Sequence, residues 1–394
     1  MQPIKLIYLT TILTICSLYA AQPIQPVFQD EFHLTGLQAT LFTTLMLAPL
    51  GLAPLFYGYI LESFPIKKVL RFAILSMGIL EFIFILSTNY SQLLTIRALQ
   101  GLVIPAILTS LMSYVSYTSS ITKVQQNIAL YIGATTVGGF LGRIISGVCT
   151  DFLGWQFFFG LLSLFFFCTF FLLNNLEDDV QPTFAKPSIR LVAELVSQPV
   201  YFWLYLCIFC VFFVFSAMMN FLPFRLLEIN PEFGASGIGI LYLGYAMGIT
   251  VSVINKRIRD FFGNEIRATG AGILLFMTGN LFFLAEQYWL LFVGMFVFCA
   301  GMFAAHTLLS GYLSKLSENH KAIANGLYIS FYYGGGTLGS FLPGFLLERV
   351  DWHWMILSLC LLLFFSLFCN HRLAKRVADN NSYINEAENQ KYAG

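Results

Sequence analysis

A glycine-rich stretch occurs twice in this chain at one fixed distance. The first copy is Gly138-Gly139-Phe140-Leu141-Gly142-Arg143-Ile144-Ile145-Ser146-Gly147, followed by Trp155. The second is Gly335-Gly336-Thr337-Leu338-Gly339-Ser340-Phe341-Leu342-Pro343-Gly344, followed by Trp352. Matched residue numbers differ by 197 throughout, as do those of Tyr131 and Tyr328 and of Pro26 and Pro223. That offset is half of the 394-residue length, so the chain reads as a duplicated unit. Both copies lie in apolar surroundings, where closely spaced small residues let helix backbones approach. Two like halves of membrane helices imply a secondary transporter with its binding site between the halves.

Composition supports a membrane setting. The chain is 58% hydrophobic and 10% charged, with mean hydropathy +0.76, where a soluble domain carries about 25% charged residues. That deficit argues against a soluble globular enzyme. Apolar runs near the length needed to cross a bilayer recur from end to end. They cover about 6–28, 37–61, 72–87, a stretch beginning near 91, 127–148 and 155–173, then 200–222, 236–254, 268–285, 289–311, 322–347 and 353–369. Tyr19-Ala20-Ala21-Gln22 has the look of a signal-peptidase site, but further spans follow at once, so the first run reads as a retained span. The halves are expected at 1–173 and 200–370, joined by a polar linker at 174–199 that ends in a short surface helix after Pro187. A tail follows at 371–394, expected to be disordered from Asp379.

Charge predicts orientation. Arg225 and Arg349 fall in loops on one side, Arg97 and Arg143 fall within runs, and every other Lys and Arg falls on the opposite side. The positive-inside rule then places both termini in the cytoplasm. The net charge of +1 gives no reason to expect a nucleic-acid partner. No nucleotide-binding motif or clustered metal ligands are present, so neither ATP drive nor a cofactor is expected. Cys207-x-x-Cys210 stands alone inside an apolar run and reads as buried small residues.

Three places resemble the major facilitator superfamily. The loop after the second run, Gly58-Tyr59-Ile60-Leu61-Glu62-Ser63-Phe64-Pro65-Ile66-Lys67-Lys68, keeps that family's glycine (Gly58), acid (Glu62) and bases (Lys67, Lys68). It has Ser63 where the family has Arg and Pro65 where it has Gly; Arg259-Asp260-Phe261-Phe262-Gly263 is a weaker echo in the second half. The fourth run carries Leu93-Leu94-Thr95-Ile96-Arg97-Ala98-Leu99-Gln100-Gly101, similar to the family's Leu-x-x-x-Arg-x-x-Gln-Gly. The Gly138 stretch is similar to the family's antiporter motif, with Val137-Gly138 in place of its Gly-Pro pair. Within the family the chain looks most like the proton-coupled drug and sugar (arabinose-type) efflux permeases.

The resemblance implies an all-α membrane protein with two six-helix bundles related by a pseudo-two-fold axis. Spans 1, 4, 7 and 10 would line a cavity, and 2, 5, 8 and 11 would form the gates between bundles. It implies a multi-pass inner-membrane monomer that binds a small organic solute and protons, held in a lipid bilayer. The expected activity is proton-coupled efflux by alternating access, with a symporter as the near alternative and a membrane enzyme or receptor as the distant one.

Individual residues sharpen this. An arginine in a span is costly and usually functional. Arg97 and Glu81 lie eight residues on either side of Asn89, hence at one depth of about 12 Å, where they could pair or Glu81 could stay neutral. Arg143 lies about one turn from the expected end of its run, close enough to snorkel. His306 is a candidate proton site or a packing residue. Cavity candidates are Tyr19, Gln22, Gln100, Ser216, Asn220, Tyr328 and Tyr332. Gly138, Gly139, Gly142, Gly335, Gly336 and Gly339 are expected at the gating interface between bundles. Pro23, Pro26 and Pro223 are expected to mark bends.

Overall fold

In the computed structural model the described residues are almost entirely helical. It describes residues 3–119, 123–176, 189–317 and 321–392, with side chains at 3, 55, 56, 58–63, 125, 189, 321, 322 and 380–392 outside that description. The helices are α1 (Pro3–Tyr19), α2 (Gln25–Glu31), α3 (Gly36–Ser63), α4 (Ile66–Leu86), α5 (Tyr90–Thr118), α6 (Val124–Leu153), α7 (Trp155–Leu172) and α8 (Ile189–Ser197). The second half contains α9 (Pro199–Ile229), α10 (Gly234–Leu241), α11 (Met247–Phe262), α12 (Glu265–Phe282), α13 (Tyr288–Leu316), α14 (Lys321–Gly339), α15 (Leu342–Leu347) and α16 (Trp352–Tyr392). In chain order α1 with α2 makes the first span, α10 with α11 the eighth and α14 with α15 the eleventh. Among the described residues ten segments are long and apolar enough to cross a membrane. The remaining two of the twelve positions are α12, with Glu265, Arg267 and Asn280, and the glycine-rich α14.

Local chemistry sets the breaks. Asn89 and Asn264 cap α5 and α12 by accepting from Gln92 N (2.9 Å) and Arg267 N (2.8 Å). Gly154 at φ 84° lets α6 end and α7 begin with Trp155. Pro23 sits in the interruption between α1 and α2, and Pro26 in the first turn of α2. Pro223, in contrast, is accommodated inside the unbroken α9. The tail also departs from expectation. It continues α16 as helix to Tyr392, because nothing between Trp352 and Tyr392 is Gly or Pro and an already packed helix needs no new nucleation. The end of the linker forms α8, which buries Leu195 and exposes the Arg190–Glu194 pair; residues 177–188 lie outside the described residues.

Two apolar cores correspond to the two halves. One is built from residues 6–176 with Ala235 added, the other from residues 195–373. The duplication recurs in the contacts. A Cβ on Gly138 would lie 2.6 Å from Ile12 O and one on Gly142 2.6 Å from Cys16 Cα. In the second half a Cβ on Gly335 or Gly339 would strike the carbonyl of Phe209 or Phe213. Phe209 and Phe213 are themselves offset by 197 from Ile12 and Cys16. The tyrosines repeat the pattern: Tyr8 Oη donates to Asn127 O (3.3 Å) and Tyr205 Oη to Ala324 O (3.0 Å).

These contacts correct the expectation for the glycines. Gly138, Gly142, Gly335, Gly336 and Gly339 pack the fifth span on the first and the eleventh on the seventh, within each half; only Gly139 of the six faces the other half, against Tyr245. The seams between halves are α3 with α14 and α6 with α10. There Gly51 approaches Gly334 N and Gly147 approaches the carbonyl of Ala235.

Candidate functional site

Polar groups in the interior fall into clusters, three of which touch the first span. The first surrounds Arg97 on α5 and Glu81 on α4, both fully buried. Ser17 of α1 sits between them. Its hydroxyl donates to Glu81 Oε1, and its carbonyl accepts from Arg97 Nη1 at 3.4 Å. Gln100, one turn on from Arg97, accepts from Nη1 at 3.1 Å. The guanidinium carbon lies 4.5 Å from the ring centre of Phe84 and 4.8 Å from that of Phe159, within cation–π range. Glu81 Oε2, Arg97 Nε and Nη2, and Gln100 Nε2 are buried without hydrogen-bond partners. The acid and base thus share one cluster, as their equal depth predicts, but Ser17 joins them in place of a direct hydrogen bond.

A second cluster forms on Arg143. The structure places it ten residues from the end of α6 and 1% exposed, so it does not snorkel; α6 runs on to Leu153, further than its apolar pattern indicates. Its Nε donates to Gln22 Oε1 (2.7 Å) and its Nη1 to Gly139 O (2.5 Å). Three tyrosine rings surround the guanidinium: Tyr19 at 4.1 Å, Tyr245 at 4.8 Å and Tyr242 at 5.3 Å. Tyr242 and Tyr245 belong to the three-residue-per-turn stretch Tyr242–Ala246 between α10 and α11. There residues three apart eclipse each other, which aims both rings at Arg143. Arg143, Tyr19 and Gln22 come from the first half and Tyr242 and Tyr245 from the second, so this cluster straddles the seam.

Further along the first span, Gln25 Nε2 donates to Thr43 Oγ1 (2.9 Å) and, across the halves, to Asn220 Oδ1 (2.8 Å). Asn220 Nδ2 in turn donates to Ser216 O (2.7 Å). Thr44 and Ser340 pair across the α3–α14 seam at 2.7 Å. Asp151, in the last turn of α6, accepts from Ala235 N (2.9 Å) and Ser236 N (2.7 Å) in the first turn of α10. All of these lie towards the membrane side opposite the chain termini. Towards the terminal side the α6 seam thins, since α6 meets α10 extensively but α11 only slightly, while α3 and α14 stay in contact at Pro54 and Gly326.

His306 on α13 lies in the second half. Its Nδ1 and its carbonyl are each 3.0 Å from Tyr328 Oη, and its ring lies 4.7 Å from that of Tyr332, which stacks on Phe212 at 3.6 Å. At the ends of the spans, Lys67 Nζ donates to Asn174 O (2.9 Å) and Leu176 O (2.6 Å), tying the first turn of α4 to the residues that follow α7. Lys68 is exposed, and the side chains at Gly58 and Glu62 lie outside the described residues. In the echo of the 58–68 loop Arg259 pairs with Asp260 (2.8 Å), and Glu265 with Lys315 (2.5 Å).

The structure therefore gathers Glu81, Arg97 and Gln100, separately Tyr19, Gln22 and Arg143, and separately His306, Tyr328 and Tyr332. Sequence reasoning missed Ser17, Tyr242 and Tyr245. A serine in an apolar run carries no signal, and the tyrosines acquire their common direction only from a local change of helix type.

Comparison with known proteins fits this arrangement. The family described as Major Facilitator Superfamily matches residues 7–265 and 228–390. Inner membrane transport protein YnfM of Escherichia coli (strain K12) is 27% identical over 377 residues, covering 92% of this chain and 88% of that protein. The MFS-type transporter YybF of Bacillus subtilis (strain 168) is 24% identical over 372 residues, covering 92% and 91%. Among solved structures, a bacterial homologue of the human lysosomal transporter Spinster, inward-facing and occupied, aligns with TM-score 0.80 at 13% identity, covering 94% of this chain and 96% of that one. A mutant of the nucleoside transporter NupG aligns with TM-score 0.77 at 13% identity, covering 94% and 99%. The matched residues, the duplicated halves and the transporter relatives make one conclusion: this chain belongs to the Major Facilitator Superfamily of membrane transporters.

Proposed function

We propose that the chain exports a small organic solute across the inner membrane by alternating access, in exchange for protons. The observation that carries the coupling is the buried Ser17 bridge between Glu81 and Arg97. Protonating Glu81 removes the negative acceptor that holds the Ser17 hydroxyl and changes the field at Arg97. Ser17 is five residues before Gln22 and eight before Gln25 on the same span, and those two glutamines make the contacts at and across the seam. A rearrangement at Ser17 therefore has a short covalent route to the groups that join the halves.

The geometry also suits rocking. The far-side seam is held by a few neutral hydrogen bonds, each worth about 0.5–1.5 kcal/mol net, and by the Asp151 cap. Such a seam is firm enough to close and weak enough to open. Export and the inner membrane are supported by the sequence resemblance to efflux permeases and by the name of the E. coli relative. N- and C-termini in the cytoplasm, halves at 1–173 and 200–370, and action as a monomer complete the proposal.

The test is flux in proteoliposomes with a pH-sensitive dye inside and a panel of sugars, drugs and organic acids loaded on one side. Exchange predicts that solute leaving one side drives protons the opposite way. Solute and protons moving together would replace export with symport, and movement without any proton flux would remove the coupling.

A further inference from the structure

The charges buried in this protein do not balance. Among the described residues the buried ionic side chains are Glu81, Arg97 and Arg143. Glu81 shares its cluster with Arg97 through Ser17. Arg143 has only neutral partners: an amide oxygen, a backbone carbonyl and three phenol rings. A guanidinium taken out of water is costly unless charge and hydrogen bonds compensate it. Rings and carbonyls offset part of that cost. Only an anion cancels the charge.

Position gives this imbalance meaning. Arg143 lies where residues of both halves meet, which is where a transporter of this architecture holds its cargo. On one side of it are Tyr19 and Gln22, on the other Tyr242 and Tyr245. Phenol hydroxyls and a glutamine amide supply hydrogen bonds to uncharged parts of a ligand, and the rings supply apolar area. Arginine's planar fork matches the two oxygens of a carboxylate or phosphate. Resting on the transporter reading above, we propose that the substrate is an organic anion, recognised through a carboxylate or phosphate group by Arg143, with Tyr19, Tyr242 and Tyr245 packing its body. When the halves part, the second-half tyrosines leave Arg143, and the anion takes their place as its partner.

This assignment gives the interior a consistent electrostatic logic. A cationic solute would meet an uncompensated positive charge in a medium of low dielectric constant, where repulsion is strong. A neutral solute would leave that charge unmet. An anion satisfies it, and its departure restores the tyrosine cage. Arg143 thus serves as a charge filter as well as a contact.

The test uses the full-length protein in lipid nanodiscs and a matched set of probes: benzoate, phenyl phosphate, benzamide and benzylamine. Ligand stabilisation against heat is measured for wild type, Arg143→Lys and Arg143→Gln, with unliganded melting curves to verify folding. Benzoate or phenyl phosphate should stabilise wild type while benzamide and benzylamine do not; whichever of the two anions acts separates carboxylate from phosphate. Arg143→Lys should keep part of the effect. Arg143→Gln should weaken binding of the active probe at least about tenfold. Equal stabilisation by benzamide or benzylamine overturns the anion site while leaving a ligand-binding transporter. Unaltered anion binding in Arg143→Gln overturns Arg143 as its holder. Stabilisation by none of the four also overturns the assignment; the transporter reading then stands or falls on the proteoliposome flux, which does not depend on these probes. If Arg143→Gln fails to fold, the charge preference of wild type and the partial effect in Arg143→Lys decide.

Discussion

Ser17 holds Glu81 through its side chain and Arg97 through its backbone, so one residue of the first span touches both ionic side chains of the buried cluster. Replacing Ser17 by Ala leaves the Arg97 contact and removes the Glu81 one. The expected result is folded protein with transport reduced and its pH dependence flattened. The loss of one hydrogen bond to a charged group predicts a cost of about 1.5–3 kcal/mol. The measurement is pH-dependent flux together with a melting temperature. Wild-type pH dependence in Ser17→Ala would remove Ser17 from the coupling.

Gly142 on Cys16 and Gly339 on Phe213 are the same contact made twice. A methyl group at either site meets backbone atoms that cannot swing aside, so Gly142→Ala and Gly339→Ala should each destabilise by about 1–3 kcal/mol. Because each contact lies inside one half, the two costs should add within about 0.5 kcal/mol. Thermal unfolding of the single and double variants checks this. A strongly non-additive double variant would place the two glycines at one shared interface.

The pair Gln25–Asn220 closes the far side across the halves. Gln25→Ala and Asn220→Ala should each raise labelling of far-side cysteines by a membrane-impermeant reagent. A double-mutant cycle should return a coupling of about 0.5–1.5 kcal/mol. Unchanged labelling in both variants would show that this bond does not hold the seam.

Much of this architecture was legible in the sequence, for identifiable physical reasons. The 197-residue offset foretold which contacts repeat, because a duplicated helix pair must bury its small residues the same way twice. Arg97, Glu81 and Gln100 were legible because charges and amides in apolar runs are expensive. What was not legible depended on direction. Gly139 faces across the seam while Gly138 and Gly142 face inward, and sequence spacing alone does not say which side of a helix meets which neighbour. Arg143 appeared close to a membrane surface because the polar residues at Thr150 and Asp151 cut the apolar pattern short, whereas Asp151 is consumed in capping α10.

The proposed orientation rests on the charge distribution and is open to direct test. A cysteine at Ser63, in the loop carrying Lys67 and Lys68, should resist a membrane-impermeant thiol reagent in intact cells and react after permeabilisation. Reaction in intact cells would invert the proposed topology.

The central claim, that Glu81 passes its protonation state to the seam through Ser17, is tested most directly by a distance measurement across that seam. Spin labels at Gln38 and Glu348, on the far side of the two halves, report the separation of α3 and α15 by pulsed electron resonance, in a background lacking Cys149 and Cys168. The account predicts that the distance distribution of the otherwise wild-type protein shifts between high and low pH. The same labels in Glu81→Gln should give one distribution at every pH. A Glu81→Gln protein whose distances still follow pH as the wild type does would contradict it.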